Sequence, residues 1–292
     1  MDIDSTVRYI SELGCWKGKP RVNTLDGGMT NQNFVVKDDH GKYVVRLGRD
    51  IPEHQILRFN ELAASRAAHA AGIAPAIHYV DEGLLVIDYI EGRTLTADDI
   101  NRPETLERVV DVIKDCHQNV ATKLRGASLV FWVFHVIRDY ATTLRTANSP
   151  YREQLNEWLQ LASRLESLAG PFDIVYGHND LLAANFIDDG KKLWLIDWEY
   201  AGYNTPLFDL GGLASNNDLP EALERELLDL YFAEAPLEQR WRQYQAMKCA
   251  SLLRETLWSM VSEVHSKIDF DYSEYSRMNL ERFNQAIRQI EL

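Results

Sequence analysis

The chain has 292 residues, a length that suits one large domain or two modest ones. Hydrophobic residues make up 46% and charged residues 26%, the composition of an ordinary globular protein with room for a water-excluding site. The formal net charge of -13 argues against nucleic acid, whose phosphates demand Lys and Arg, and against adhesion to an anionic membrane surface. Such an acidic balance mainly confers solubility. No apolar run approaches the roughly 18 residues that cross a bilayer. Met1-Asp2-Ile3-Asp4 lacks the basic and apolar parts of a signal peptide. Cys15, Cys116 and Cys249 lie far apart, without metal-ligand spacing, as buried thiols in a reducing compartment would. These features predict a cytoplasmic protein.

In chain order, a short helix is predicted around Thr6–Leu13, followed by strands at Arg21–Leu25, Asn33–Lys37 and Tyr43–Leu47. Asp38-Asp39-His40-Gly41 makes a good hairpin turn between the second and third strands. Asp26-Gly27-Gly28-Met29-Thr30-Asn31 is a longer connection between the first two. Glu53–Ala71 reads as a helix stopped by Gly72 and Pro75. Two more strands, Ala76–Val80 and Leu84–Tyr89, flank the turn Asp81-Glu82-Gly83. Helices then dominate, at Leu106–Val120, Phe131–Thr146, Tyr151–Leu168, Leu219–Phe232, Leu237–Ser266 and Tyr272–Ile290. Short strand-like runs within Ile174–Ala201 interrupt them. The outline is α+β: a bilobal, kinase-like fold with an antiparallel-sheet lobe over residues 1–88 and a mainly helical lobe over 89–292.

The strongest chemical signal is His178-Asn179-Asp180-Leu181-Leu182-Ala183-Ala184-Asn185. It fits H-x-D-x-x-x-x-N, the kinase catalytic loop in which the Asp receives the acceptor proton and the Asn holds magnesium. Downstream, Leu193-Trp194-Leu195-Ile196-Asp197 is an apolar strand ending on a carboxylate. Phosphoryl transfer needs one acid to orient the nucleophile and hard oxygen ligands for the metal. Asp180, Asn185 and Asp197 supply that set. Taken singly, these residues could equally cap a helix or end a strand; their order and spacing make the set specific.

These two segments, the second running Ile196-Asp197-Trp198-Glu199-Tyr200, resemble the motifs of choline/ethanolamine kinases, relatives of the aminoglycoside phosphotransferases. The resemblance extends over nearly the whole chain. It implies an ATP-dependent kinase with Asp180 as catalytic base, Asn185 and Asp197 as Mg2+ ligands, and His178 bracing the loop. Asn179 stands where regulated protein kinases place an Arg, which implies no control by a phosphorylated activation loop. Gly27, Gly28, Thr30 and Asn31 resemble the family's cover over the phosphates, where free backbone N–H groups meet phosphate oxygens. Arg46 occupies the place of the strand-three Lys, with Glu61 as its implied partner, and backbone near Asp88 and Ile90 would meet adenine.

For the acceptor, Tyr200, Trp258 and Tyr275 fall on family cage positions around a quaternary ammonium, with Tyr272 and Phe270 close by. Glu255 stands where the family carries a second Trp; a carboxylate also suits ethanolamine or another amine that donates hydrogen bonds. The acceptor expected is therefore choline, ethanolamine or a related amino alcohol. An aminoglycoside, thiamine or sugar kinase is the alternative within the class, and a pseudokinase or metal-dependent hydrolase outside it. Choline kinases are often dimers, so a homodimer is also implied, with no interface marked in the sequence.

Overall fold

The computed structural model describes residues 2–25, 30–171, 173–233, 237–268 and 270–290. Helix α1 (Ile3–Ser11) starts where the Asp2 side chain accepts the Ser5 N–H, an ordinary N-cap. Strands β1 (Arg21–Leu25), β2 (Gln32–Lys37) and β3 (Lys42–Leu47) follow, then helix α2 (Arg58–Ala70), β4 (Ile77–Asp81) and β5 (Leu84–Asp88). All five strands are antiparallel in the order β1-β2-β3-β5-β4. The β2–β3 turn closes because Asp38 Oδ1 accepts the N–H of His40 and of Gly41, both at 2.8 Å. Phe34, Val36, Tyr43, Val45, Leu84 and Val86 alternate onto one face and pack with Ile10 of α1 and Trp16.

The helix expected over 53–71 is shorter than its composition suggests. Pro52–His54 forms a 3-10 turn, Gln55 adopts a left-handed φ of 59°, and an Ile51–Ile56 bridge closes the loop before α2 begins at Arg58. Pro52 and the left-handed residue end the turn that an Ala/Leu-rich stretch would otherwise have extended. Although α2 lies early in the chain, its Ala64, Ala67 and Ala68 are buried in the larger core with the later helices.

That second part begins with β6 (Arg93–Thr94), α3 (Ala97–Ile100) and α4 (Pro103–Asp115), whose last turn widens to a π turn over Cys116–Val120. Helices α5 (Val133–Thr146) and α6 (Leu155–Ala169) lead into short strands β7 (Val175–Gly177), β8 (Phe186–Asp188), β9 (Leu193–Leu195) and β10 (Gly202–Asn204). β6, β8 and β9 form one small sheet, and β7 pairs with β10. Helix α7 (Pro206–Asn216), absent from the sequence reading, is buried over ten consecutive residues from Pro206 to Ser215. Helices α8 (Glu221–Phe232), α9 (Glu238–His265) and α10 (Tyr272–Ile287) complete the chain. The 28-residue α9 is the axis of this part, packing against α5, α6, α7 and α10.

Gly211 sets how closely α7 meets α9. A Cβ there would fall 2.8 Å from the Lys248 backbone nitrogen and 2.9 Å from its Cα, so the two backbones touch. Gly211→Ala should therefore destabilise the protein by about 1–3 kcal/mol through overpacking, despite the better helix propensity of Ala. Thermal melting reads this directly; an unchanged or raised midpoint would show that the helices are not in backbone contact.

Candidate active site

The loop after β7 is held by a buried acid. Asp209 on α7 accepts the N–H of His178 at 2.8 Å and of Asn179 at 2.7 Å, and its Oδ2 lies 2.9 Å from His117 Nε2. Gly177 permits this approach, since a Cβ there would stand 2.9 Å from the same carboxylate. Burial alone would push Asp209 upward, but the His117 contact and the two backbone donors outweigh it and keep the acid below its usual range. Asn179 takes a left-handed φ of 64°, which Asn tolerates, and its amide donates to Tyr200 O at 3.0 Å and Gly202 O at 3.2 Å. Burial keeps His178 neutral, and its Nε2–H donates to Ile196 O at 2.9 Å. The backbone leading into Asp180 is thus fixed before any ligand arrives.

The same frame brings in Asn185 and Asp197. Asn185 Nδ2 donates to Asp180 O at 2.9 Å, leaving its amide oxygen as an acceptor, and Ile196 N–H donates to Asn185 O at 3.0 Å. Asp197 follows with φ of 68°, a left-handed conformation that costs a non-glycine residue on the order of 1 kcal/mol and turns the carboxylate out of the strand direction. Among the described residues, no three His, Cys, Asp or Glu side chains gather to hold a metal ion. A carboxylate and an amide oxygen instead offer the sparse, hard set that suits magnesium completed by phosphates and water.

Arg46 on β3 faces these groups from the sheet. Its Nε lies 3.0 Å from Glu61 Oε1 on α2 and its Nη2 2.6 Å from Asp197 Oδ1, with Glu199 Oε2 at 3.9 Å. Arg58 Nη1 adds contacts of 2.6 Å to Glu61 and 3.2 Å to Glu199. Burial raises Asp197, yet the Arg46 charge prevails and holds it below the carboxylate range. Glu199 is pushed up by burial and then by the neighbouring Asp197 charge. Thr30 and Asn31 both turn toward Glu199, donating at 2.9 and 3.2 Å, so their side chains tie the sheet to the segment after β9. Gly27 and Gly28 lie outside the described residues.

At the far end of β5, the Asp88 N–H is spent on Ala76 O at 2.9 Å, while Tyr89 N–H pairs with Lys42 O. An edge contact here would use the Asp88 carbonyl and the Ile90 N–H. An apolar recess lined by Ala74, Pro75, Ile87 and Ile196 opens beside Arg46 and Asp197.

On the other side of Asp180 stand α9 and α10. Arg254 Nη1 lies 3.8 Å from Asp180 Oδ1 and 2.9 Å from Glu255 Oε2, and Tyr275 donates its hydroxyl to Glu255 Oε1 at 2.8 Å. Trp258 donates Nε1–H to the Tyr200 hydroxyl at 2.8 Å and meets the rings of Tyr272 and Tyr275 edge-on at 6.2 and 6.5 Å. Phe270 packs on both tyrosines. The residues expected around an acceptor are therefore together. Burial pushes Asp180 up to about 8, with Arg254 opposing and Glu255, Asp197 and Glu199 adding.

The family model for choline/ethanolamine kinases matches residues 22–217, two thirds of the chain. The chain belongs to the choline/ethanolamine kinase family. Ethanolamine kinase 2 of Rattus norvegicus is 28% identical over an alignment spanning 98% of this chain and 81% of that protein. A choline/ethanolamine kinase family protein from Mesorhizobium loti superposes with a TM-score of 0.79 at 26% identity, covering 99% of this chain and 96% of that one. The structure of LicA in complex with AMP gives 0.74 at 24% identity, covering 97% and 98%. The two-part architecture is thus that of the protein-kinase-like fold, and the enzyme class is a phosphotransferase with an alcohol acceptor.

Three charged residues of this kinase network, Arg58, Asp209 and Arg254, match no position that motif spacing picks out, while Glu199 lies inside the Ile196–Tyr200 segment but was given no role there. Arg58 carried a weak mark, its i,i+3 spacing to Glu61. Asp209 follows the Thr205-Pro206 start of α7, a legible helix signal, but its target thirty residues upstream is purely tertiary. Asp209→Ala should cost about 3–5 kcal/mol, because His117 and two loop N–H groups lose a buried charged acceptor. Denaturant unfolding measures this; a loss below about 1 kcal/mol would mean that the loop is held elsewhere.

Proposed function

We propose that this kinase transfers the γ-phosphoryl group of ATP to the hydroxyl of choline, ethanolamine or a related amino alcohol. The observation that carries the reading is the joining of Asp180, Asn185 and Asp197 through the Asn185–Asp180 and Ile196–Asn185 hydrogen bonds, directly beneath Arg46. Adenine would meet the Asp88 carbonyl and the Ile90 N–H, with the triphosphate running toward Arg46. Backbone of the Gly27-Gly28 turn would cover it, with Thr30 and Asn31 at its exit. Asn185 and Asp197 would hold magnesium, which neutralises charge on the phosphates when bound.

Asp180 accepts the hydroxyl proton as the hydroxyl oxygen bonds to the γ-phosphorus. The bond to the β–γ bridging oxygen breaks, and ADP leaves with that electron pair. A carboxyl tuned toward neutrality is suited to that exchange. Tyr200, Glu255, Trp258, Tyr272 and Tyr275 surround the cationic end of the acceptor. Among the described residues no helix is long and apolar enough to cross a membrane, and the three cysteines are free. Both features suit an ATP-using enzyme of the cytoplasm.

Asp180→Asn and Asp197→Asn should each lower kcat by about 100- to 10,000-fold while leaving the melting temperature within a few degrees of the parent. Coupled ADP release with choline and ethanolamine as acceptors provides the assay. Near-parental turnover in either variant, or ADP release that ignores the acceptor, would remove this reading.

A further inference from the structure

The acceptor end contains a charged arrangement that a purely aromatic cage does not require. Arg254 is buried, stacked with its Cζ 4.4 Å from the Tyr200 ring centre and 5.7 Å from that of Phe131. One nitrogen, Nη1, serves both Asp180 and Glu255, at 3.8 and 2.9 Å. Nε and Nη2 are buried without hydrogen-bond partners, so the guanidinium is fixed by ring stacking and these two acids rather than presented to a ligand. Tyr275 then fixes the second oxygen of Glu255. A carboxylate held at both oxygens keeps one direction.

Two of the rings, Trp258 and Tyr272, are less available. Trp258 is only 5% exposed, and His54 covers one of its faces at 4.9 Å with 31° between the planes. Tyr272 is equally buried. The side chains that retain surface and share Arg254 are Asp180, at 19%, and Glu255, at 18%. Because one nitrogen touches both carboxylates, they lie within the span of a two-carbon amino alcohol whose hydroxyl meets Asp180 and whose ammonium meets Glu255.

Resting on the acceptor class proposed above, we infer that Glu255 is the specificity-determining residue of this pocket. It selects amino alcohols that keep at least one N–H over quaternary ammonium. A carboxylate accepts about four hydrogen bonds, and Glu255 has two in place, so an ammonium N–H finds an open lone pair and a full opposite charge. A trimethylated nitrogen removes water from the same carboxylate and returns no hydrogen bond. Sites built around a substrate N–H discriminate steeply against analogues that lack it. Arg254 acts as a positioning residue, holding the Glu255 carboxylate toward Asp180.

The test is kcat/KM for ethanolamine, N-methylethanolamine, N,N-dimethylethanolamine and choline in the parent, Glu255→Gln and Glu255→Trp. The parent should favour ethanolamine over choline by about 10- to 100-fold, with the steepest step at the third methyl group, where the last N–H disappears. Glu255→Gln preserves shape and should lose about tenfold more for ethanolamine than for choline, mainly through KM. Glu255→Trp, which restores a ring, should move the preference toward choline. Melting curves establish that both variants fold. Turnover of both alcohols with a ratio unmoved by Glu255→Gln overturns the role of Glu255 and leaves the kinase reading intact. Turnover of neither by the parent overturns the acceptor class, and this inference with it.

Discussion

The site depends on one buried carboxylate. Asp209 replaces the secondary-structure partners that the loop after β7 lacks, taking two consecutive backbone N–H groups that would otherwise be buried without acceptors. Its own charge is tolerable only because His117 and those two donors surround it, and because Gly177 has no Cβ to keep it away. Everything downstream inherits the position: Asp180 follows the two clamped residues, Asn185 binds the Asp180 carbonyl, and Ile196 binds the Asn185 carbonyl. A chain of single hydrogen bonds therefore runs from α7 in the core to Asp197 beneath the sheet.

Upon this frame the charges fall into two groups with the same imbalance. At the proposed nucleotide end Arg46 and Arg58 face Glu61, Asp197 and Glu199; at the proposed acceptor end Arg254 faces Asp180 and Glu255. Each group has one more acid than base. A buried surplus charge is costly, so the surplus appears as a raised pKa, on Glu199 in the first group and on Asp180 in the second. A cation delivered to either end removes the surplus. The ammonium of the proposed acceptor matches the surplus at its end; at the other end the metal arrives with a triphosphate of larger negative charge, which Arg46 would face.

The sequence reading followed the strength of local signals. The strands of the sheet were legible nearly to the residue, because alternating Phe34, Val36, Tyr43 and Val45 and the Asp38 turn act within a few positions. The start of α2 was misjudged because the Ala- and Leu-rich run after Gln55 favours helix and Glu53 and His54 do not oppose it, and only the Ile51–Ile56 pairing sets the left-handed break. Helix α7 was missed because Gly211-Gly212 and an absence of polar faces remove the amphipathic period; its stability comes from packing against α9. Within the site, the residues of the two motif segments could be read as a group. The partners that arrive from α7 and α9, Asp209 and Arg254, could not, since nothing local links them to the loop they serve.

Placing the acceptor groups on α9 has a consequence for how selectivity can change. Arg254 and Trp258 are buried in the helix that organises the larger core, so replacing either removes packing as well as chemistry. Glu255 lies between them on the same rigid backbone but keeps solvent access, and its contacts are a charge and a hydroxyl rather than apolar volume. On the proposed reading, exchanging it would alter what the pocket recognises with little loss of packing. A helix buried nearly all round from Cys249 to Ser262, with Glu255 alone keeping partial exposure there, would separate the stability of the fold from the choice of substrate.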